Sequence, residues 1–264
     1  MKARKTTLED LVYSTRLAVP VTLLSLRVAA IGHPRIRQSY RYKRLILTIM
    51  RRVLLEDSNA VDIGSHRGLF LFAFQKHAPR GRHIAVEPVP DLARRLREHF
   101  PKVEVRAVAL SETNGTTDFY IDRHEPGYSS LVAWERKNVQ SDAFERIKVP
   151  IETLDGIVPR DRNIDLIKMD AMGAHVKILR GALQTIRRCR PVIVMYLRSA
   201  PGGDPPAQSA AETWDIVVDQ GNLQIWRLAD WVAGQSCLSR TQFLTSVGHH
   251  EGSEFCFVAS PARN

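Results

Sequence analysis

Short apolar runs alternate with amphipathic stretches along most of the chain. Runs such as residues 60–63 and 164–169 are typical of buried strands, and apolar residues at every third or fourth position indicate helices. Strands that alternate with helices predict βαβ units, which build a mostly parallel sheet covered by helices on both faces. The pattern therefore places the chain in the α/β class.

The predicted elements follow this alternation from residue 40 to the end. Helices are predicted at residues 40–55, 68–77, 90–100, 174–188 and 208–219. Strands are predicted at residues 60–63, 83–87, 103–110, 116–121, 145–151, 164–169, 191–197, 222–228 and 254–258. The sequence contains no internal repeat and no low-complexity tract.

The N-terminal region differs from this pattern. The run over residues 17–31 is mostly apolar but contains Pro20 and Arg27, and its ~15 residues fall short of the roughly 20 that a membrane span needs. A signal peptide is disfavoured because Glu9 and Asp10 interrupt the basic residues that precede the run. Residues 6–31 are instead predicted to form one or two helices that dock on the body or lie flat on a membrane.

Charge separates the same region from the rest of the chain. The 264 residues carry 38 lysines and arginines against 28 aspartates and glutamates, a formal net charge of +10. Residues 1–58 hold twelve basic and four acidic residues, and therefore +8 of this excess. Such a segment is attracted to lipid headgroups or phosphates, although a solvated helical face is an equally open interpretation. We expect two parts: a basic helical segment, residues 1–55, and an α/β domain, residues 56–264.

The composition is that of an ordinary globular protein. Apolar residues make up 44% and charged residues 25% of the chain, and the length suffices for a buried core. The three widely spaced cysteines and the adjacent His249 and His250 lack the spacing of a metal site. The sequence therefore predicts no metal. It predicts a cytoplasmic protein whose membrane contact, where it exists, is peripheral and made by residues 1–55.

Small and acidic residues follow the first two strands of the body. Residues 62–68 contain Gly64 and Gly68, which permit a tight turn from strand to helix. Glu87 ends the next strand, about 20 residues further on, where a carboxylate can accept hydrogen bonds from the hydroxyls of a ribose. The turn lacks the pattern of a dinucleotide-binding or phosphate-binding loop. The favoured ligand is therefore a nucleoside, and S-adenosylmethionine is the candidate cofactor.

The order and spacing of several sequence blocks resemble the FkbM family of methyltransferases. The blocks lie at residues 61–68, 86–88, 108–111, 152–155, 164–170, 178–182 and 190–191. The resemblance covers about residues 40–197. It implies a Rossmann-like methyltransferase fold with a mostly parallel seven-stranded sheet and S-adenosylmethionine as the methyl donor. It also implies O-methylation of a hydroxyl on a sugar, a glycolipid or a polyketide-like acceptor.

The resemblance assigns roles to individual residues as well. The residues implied to contact the cofactor are Asp62, Gly64, Ser65 and Gly68 for the methionine part, Glu87 for the ribose, Ala109 and Leu110 for the adenine, and Ser129 and Ser130 for a serine-rich stretch over the cofactor. Asp170, at the end of a strand, is implied to lie beside the transferred methyl group and the acceptor.

The acceptor side departs from the family pattern. Family members usually carry glutamates where this chain has Met172 and His175, and another acid near the position of Tyr196. Asp170 and His175 are therefore the nearby candidates for a catalytic base. His175 has a second interpretation as a residue on the surface of a helix. Because these positions are less acidic, the acceptor is expected to be partly apolar and simple sugars to be poor substrates.

Three functional hypotheses remain open. The first is an O-methyltransferase that acts on a small-molecule or glycolipid acceptor. The second is a cofactor-binding module of the same fold with weakened catalysis, which the missing acids favour. The third is an RNA methyltransferase, suggested by the basic N-terminal segment. A nucleic-acid partner is disfavoured because few aromatic residues lie among the basic ones to stack on bases.

Overall fold

The computed structural model describes residues 24–25, 27–28, 31, 33–122, 129, 144–197, 206–247 and 256–262. Most of the helical segment predicted over residues 6–31 lies outside the described residues, and so do Ser130, His249 and His250. The predictions made above for these residues therefore remain predictions. Within the described ranges, no helix is both long enough and apolar enough to cross a membrane.

A mostly parallel sheet of seven strands forms the centre of the body. The strands of the described chain are β1 (Ala60–Ile63), β2 (Ile84–Val86), β3 (Glu104–Arg106), β4 (Ala109–Leu110), β5 (Gly115–Asp122), β6 (Phe144–Glu152), β7 (Leu166–Met169), β8 (Val192–Tyr196), β9 (Gln224–Arg227) and β10 (Cys256–Ser260). The central sheet has the order β3-β2-β1-β7-β8-β10-β9. Only β10 runs antiparallel to its neighbours in this sheet. The structure thus confirms the predicted Rossmann-like α/β fold.

Helices cover both faces of this sheet. They are α1 (Pro34–Val53), α2 (Leu69–His77), α3 (Pro90–His99), α4 (Leu154–Ile157), α5 (His175–Arg180), α6 (Leu183–Cys189), α7 (Pro206–Trp214), α8 (Leu228–Ala233) and α9 (Arg240–Ser246). Alternate residues of a strand face opposite sides, so Val61 and Ile63 join one core cluster with α5 and α6, whereas Ala60 joins the other with α1 and α2. The side chain of Asp62 therefore points to the α1–α2 side.

The strand predicted over residues 103–110 is two strands in two sheets. β3 forms the edge of the central sheet, whereas β4 pairs with β6 in a second sheet of order β4-β6-β5. Ala109 packs there in a small cluster with Phe119 and Val149, while Val108 and Leu110 stay in the main core. The apolar residues of this stretch pack in both cores, and the chain therefore leaves the edge of the central sheet after β3.

The helix predicted over residues 174–188 is also interrupted. α5 ends at Arg180, and Gly181 then passes so close to the backbone of Ser111 that a β-carbon would clash with its carbonyl oxygen. The carboxylate of Asp155 accepts the backbone N–H groups of Gln184 and Thr185, at 3.0 and 2.7 Å, and so caps the start of α6. A further difference lies at residues 208–219, where α7 gives way to a π-helical segment, Asp215–Gln220.

The N-terminal helix α1 is longer than predicted and packs on the body. It begins at Pro34 rather than near Tyr40, with proline in its first turn, where the missing N–H costs nothing. One face, which includes Tyr42, Ile46 and Ile49, is completely buried in the core cluster that α2 also joins. α1 therefore shares its core with the α/β body.

Candidate active site

A cavity of about 360 Å³ lies where the carboxyl ends of β1, β2 and β7 meet. This is the edge at which open parallel sheets bind their ligands. The turn after β1, the end of β2, β4 and the residues after β7 supply most of its wall. α1 contributes Lys43, and the small sheet contributes Phe119. The cavity therefore joins both sheets and the N-terminal helix.

The glycine turn after β1 brings two strand ends into contact. Gly64 has a φ of +73°, and a β-carbon there would clash with the backbone oxygen of Asp170. The N–H of Asp170 donates to the carbonyl of Ile63 at 3.0 Å, which fixes this approach. Gly68 has a φ of +78° and starts α2 against the ring of Phe100. Both glycines stand where only glycine fits without strain, and this backbone forms the floor of the cavity at Gly64.

A buried ion pair between Asp62 and Lys168 lies behind the glycine turn. Asp62 and Lys168 occupy paired positions on β1 and β7, and their Oδ1 and Nζ atoms lie 3.0 Å apart. Lys168 also donates to the carbonyl of Gly64 at 3.0 Å, and its Nζ lies 5.2 Å from the ring centroid of Phe70. Burial raises the pKa of Asp62, and the ammonium group of Lys168 opposes that rise. Lys168 lines the cavity, but Asp62 lies behind it.

Glu87 lies at the end of β2 with its carboxylate directed by backbone groups. Oε2 accepts the N–H of His66 at 2.8 Å, and Oε1 accepts the N–H of Val89 at 3.0 Å. Desolvation raises the pKa of Glu87 to about 7, against the opposing effect of these two bonds. Each carboxylate oxygen can accept a further hydrogen bond, and the residue lines the cavity. The position suits a donor such as a ribose hydroxyl.

His66 is the most unusual residue of the turn. It has a positive φ of 49°, which is uncommon for a residue with a side chain. Burial, together with the charges of Arg67, Lys168 and Lys43, lowers the pKa of His66 to about 4, so the imidazole is neutral at ordinary pH. Its buried Nε2 has no hydrogen-bond partner among the described residues. A buried group of this kind is expected to meet a ligand or water.

The remaining wall fits an adenine ring. Ala109, Leu110 and Phe119 provide apolar surface, and Ser129 lies beside them in the lining. The hydroxyl of Ser129 accepts the N–H of Asp122 at 3.1 Å, which ties it to the end of β5. Apolar surface for the base, a carboxylate for the ribose and an unpartnered imidazole together fit S-adenosylmethionine. Of the residues predicted for this cofactor, Asp62 and Gly68 shape the site from behind rather than lining it.

The two candidates for a catalytic base lie in different surroundings. Asp170 lines the cavity, followed by Ala171 and Met172. His175 does not line it: its side chain is 3% exposed, and its Nε2 lies 2.6 Å from the hydroxyl of Ser209. The interpretation of His175 as a helix-surface residue is therefore wrong, because α7 packs over α5 and covers it.

Tyr196 also lies away from the cavity. It is buried at the end of β8, and its ring stacks edge-on against Tyr42 of α1 at a centroid distance of 6.4 Å. Of the three positions where family members usually carry acids, only Met172 faces the cavity. The loss of acids therefore changes the cavity wall at one position.

Sequence reasoning missed four polar residues of the lining. These are Lys43, His66, Arg67 and Lys168. The sequence could have indicated Lys168, because it is a charged residue inside an apolar strand, and such a residue is almost never buried without a partner. No sequence pattern indicates Lys43, because its place in the cavity wall depends on how α1 packs against the body.

A Rossmann-like sheet with a cavity at these strand ends, and no phosphate-binding loop in the turn after β1, is the arrangement expected of S-adenosylmethionine-dependent methyltransferases. The Methyltransferase FkbM domain matches residues 62–222, more than half of the chain, and the chain belongs to the FkbM methyltransferase family. It is accordingly an S-adenosylmethionine-dependent enzyme.

Relatives of known sequence or structure span different parts of the chain. It is 26% identical to the 2-O-methyltransferase NoeI of Sinorhizobium fredii, over 65% of this chain and 75% of that protein. It is 26% identical to the methyltransferase sdnD of Sordaria araneosa, over 46% of this chain and 59% of that protein. A crystal structure of a methyltransferase FkbM from Methylobacillus flagellatus aligns at 16% identity and a TM-score of 0.45, over 78% of this chain and 44% of that chain.

Proposed function

We propose that the protein transfers the methyl group of S-adenosylmethionine to a hydroxyl oxygen of a partly apolar small molecule or glycolipid. The observation that carries the proposal is the position of Asp170, an acidic residue that lines the cavity next to the apolar Ala171 and Met172. The similarity to NoeI, a 2-O-methyltransferase by name, supports oxygen as the methyl acceptor.

The protein's part in this reaction is to hold the acceptor and remove a proton. Bound S-adenosylmethionine supplies an electrophilic methyl group on a sulfonium. Gly64 and Glu87 would hold this cofactor in the cavity, and Asp170 would accept the proton that the acceptor hydroxyl releases. Alignment of the two reactants supplies much of the acceleration, and a positioned base typically adds about 10²–10⁴-fold.

A cofactor-binding module with weakened catalysis is the second candidate. Met172 favours it, because this non-acidic side chain faces the cavity where relatives usually carry a glutamate. Titration with S-adenosylmethionine, followed by an assay for S-adenosylhomocysteine release with fractionated cell extracts, separates the two. Binding with release supports the transferase, whereas binding without release from any fraction supports the module. Absence of binding contradicts both.

The ribose role of Glu87 predicts a pH-dependent affinity. Ribose hydroxyls donate to the ionised carboxylate, and the pKa of Glu87 is about 7. Cofactor affinity is therefore expected to fall by up to about tenfold between pH 8 and pH 6, as the carboxyl binds a proton. Glu87→Gln should weaken binding at pH 8 by at least about tenfold, since charge-assisted hydrogen bonds are lost, and should remove the pH dependence. Calorimetric titration measures both.

The matched control for this prediction is Glu98→Gln. Glu98 is an exposed carboxylate on α3, and its removal should leave the affinity and its pH profile unchanged. Any titration of the cofactor's own groups persists in the Glu87→Gln protein and can be subtracted. Unchanged affinity in a folded Glu87→Gln protein would contradict the ribose assignment.

We propose in addition that the N-terminal region contacts anionic membranes peripherally. α1 contains no acidic residue, and among those of its side chains that the structure describes, the exposed arginines are Arg37, Arg41, Arg44, Arg51 and Arg52. Just before it, Leu24, Val28 and Ile31 are all more than half exposed at helical spacing. An apolar stripe next to basic side chains suits the surface of a membrane that carries negative lipids.

Neutralising the basic face should weaken this contact. The test variant carries glutamine at three exposed arginines of α1, Arg37, Arg41 and Arg44. At about 1 kcal/mol per basic residue near an anionic surface, co-sedimentation with phosphatidylserine-containing vesicles should weaken by at least about tenfold. The control removes three exposed charges elsewhere, Lys102, Arg160 and Lys177. Equal sedimentation of both variants would contradict the membrane proposal.

A further inference from the structure

The turn after β1 places His66 in the wall of the candidate active site. His66 lines the cavity together with Gly64 and Asp170. Its backbone N–H donates to Oε2 of Glu87 at 2.8 Å, a contact that helps to hold the residue at its positive φ of 49°. Residues with side chains rarely adopt this conformation, and those that do cluster at functional sites, where the surrounding structure maintains the strain. The backbone of His66 therefore marks it as a candidate functional residue.

The imidazole of His66 brings a hydrogen-bonding atom that the protein does not use. Its Nε2 is buried and has no hydrogen-bond partner among the described residues. A buried polar atom without a partner costs free energy, so it is expected to pair when a ligand enters the cavity. Burial is the main reason why the pKa of His66 falls to about 4, and the imidazole is therefore neutral. A hydroxyl suits either tautomer of a neutral imidazole, because it both donates and accepts hydrogen bonds.

The ring of His66 lies towards the residue proposed as the catalytic base. The pKa of His66 responds mainly to burial, but the charges of Lys168, on β7, and of Asp170, just after it, also act on it. Glu87, which is proposed to hold the ribose, contacts the backbone of His66 rather than its ring. The imidazole is therefore within electrostatic range of the place where the acceptor hydroxyl is proposed to react.

We infer that Nε2 of His66 forms a hydrogen bond with a second hydroxyl of the methyl acceptor, next to the hydroxyl that is methylated. The inference rests on the proposed function for the identity of the acceptor site. An acceptor whose reacting hydroxyl lies at Asp170 presents its neighbouring atoms to His66, because both residues line one cavity. The apolar Leu69, Phe70 and Met172 line the same cavity and suit the rest of a partly apolar molecule. The acceptor class is thus a diol with an apolar part, and a compound with one hydroxyl leaves the imidazole unpaired.

Titration of the full chain with two simple probes tests the inference. Hexane-1,2-diol has two neighbouring hydroxyls and hexan-1-ol has one, and each is added to protein saturated with S-adenosylhomocysteine. The nuclear magnetic resonance signal of Nε2 of His66, assigned by its absence from the His66→Gln protein, reports the contact. Hexane-1,2-diol should shift this signal and bind about fivefold more tightly than hexan-1-ol, the ordinary effect of one neutral hydrogen bond. A signal that does not respond to the diol, or equal affinities for the two probes, would overturn the inference.

Three variants separate the hydrogen bond from the shape of the wall. His66→Phe keeps a planar ring without the hydrogen-bonding atom and should abolish the preference for the diol. His66→Gln keeps an amide in a similar position and should restore at least a twofold preference. The matched control is His99→Phe, at an exposed histidine of α3, which should keep the fivefold preference. Circular dichroism establishes that each variant is folded, and a folded His66→Phe protein with an unchanged preference for the diol contradicts the inference.

The cofactor is the competing partner for Nε2 of His66. If S-adenosylhomocysteine alone shifts the Nε2 signal, the diol adds no further shift, and His66→Phe weakens S-adenosylhomocysteine by about tenfold, the imidazole binds the cofactor and the inference fails. Failure of S-adenosylhomocysteine to bind at all contradicts the proposed function instead. The probes are also titrated into the protein alone, where the response of His66 is still measured, so the two failures are distinguishable.

Discussion

Lys168→Met is expected to lower the free energy of unfolding by about 3–5 kcal/mol, because it leaves the carboxylate of Asp62 buried without its counter-ion. Asp62 is completely buried, and Lys168 lies beside it in the register of β1 and β7. The variant also loses the hydrogen bond from Lys168 to the carbonyl of Gly64. Unfolding in urea measures the change.

The pH dependence of this loss is part of the prediction. Burial already raises the pKa of Asp62, and removal of the ammonium group should raise it further. A buried acid with a raised pKa stabilises the fold at pH values below its unfolded pKa, and this stabilisation is lost as the pH rises through its folded pKa. The penalty should therefore be largest at neutral and higher pH and should shrink as the pH falls towards the ordinary range of an aspartate.

Two further variants show whether the pair itself is responsible. Asp62→Asn combined with Lys168→Met removes both charges and should recover a large part of the lost stability, as buried pairs replaced together often do. Lys177→Met removes an exposed lysine of α5 and should change little. A single Lys168→Met variant as stable as the Lys177→Met protein would show that the pair does not hold the turn.

Local sequence patterns predicted the frame of this site because the frame is locally encoded. The glycine turn at Gly64 follows from its spacing after an apolar strand, and Glu87 follows from its place at the end of the next one. Both residues line the cavity. The parallel order of β1, β2 and β7 then brings these strand ends together.

The parts that the sequence did not predict depend on contacts between distant residues. The break between α5 and α6 arises where Gly181 meets the backbone of Ser111 and is capped by Asp155, and neither contact is visible in a helical period. His175 is buried because Ser209, on α7, covers it. The place of Lys43 in the cavity wall likewise appears only once α1 packs against the body. Periodicity reports which residues are buried, but not which of them meet.

Asp170→Asn is expected to lower the turnover number by about 10²–10⁴-fold, the usual contribution of a positioned base. The substitution keeps the volume of the side chain and removes its capacity to accept a proton. Because the backbone of Asp170 carries the contact to Ile63, the turn should persist and cofactor affinity should stay within about threefold. Release of S-adenosylhomocysteine with an acceptor fraction that supports turnover measures the first effect, and calorimetry measures the second.

His175→Gln is the companion variant, because His175 was the other candidate for the base. It lies behind the wall with its imidazole against Ser209, so its replacement should lower stability while the turnover number of the folded enzyme stays within about threefold of the original. The reverse pattern, an active Asp170→Asn enzyme and an inactive but folded His175→Gln enzyme, would require α7 to move and open a path from His175 to the cavity. Full activity of both variants would show that the reaction proceeds without a side-chain base at this end of the cavity. Alignment of the reactants would then carry the whole acceleration.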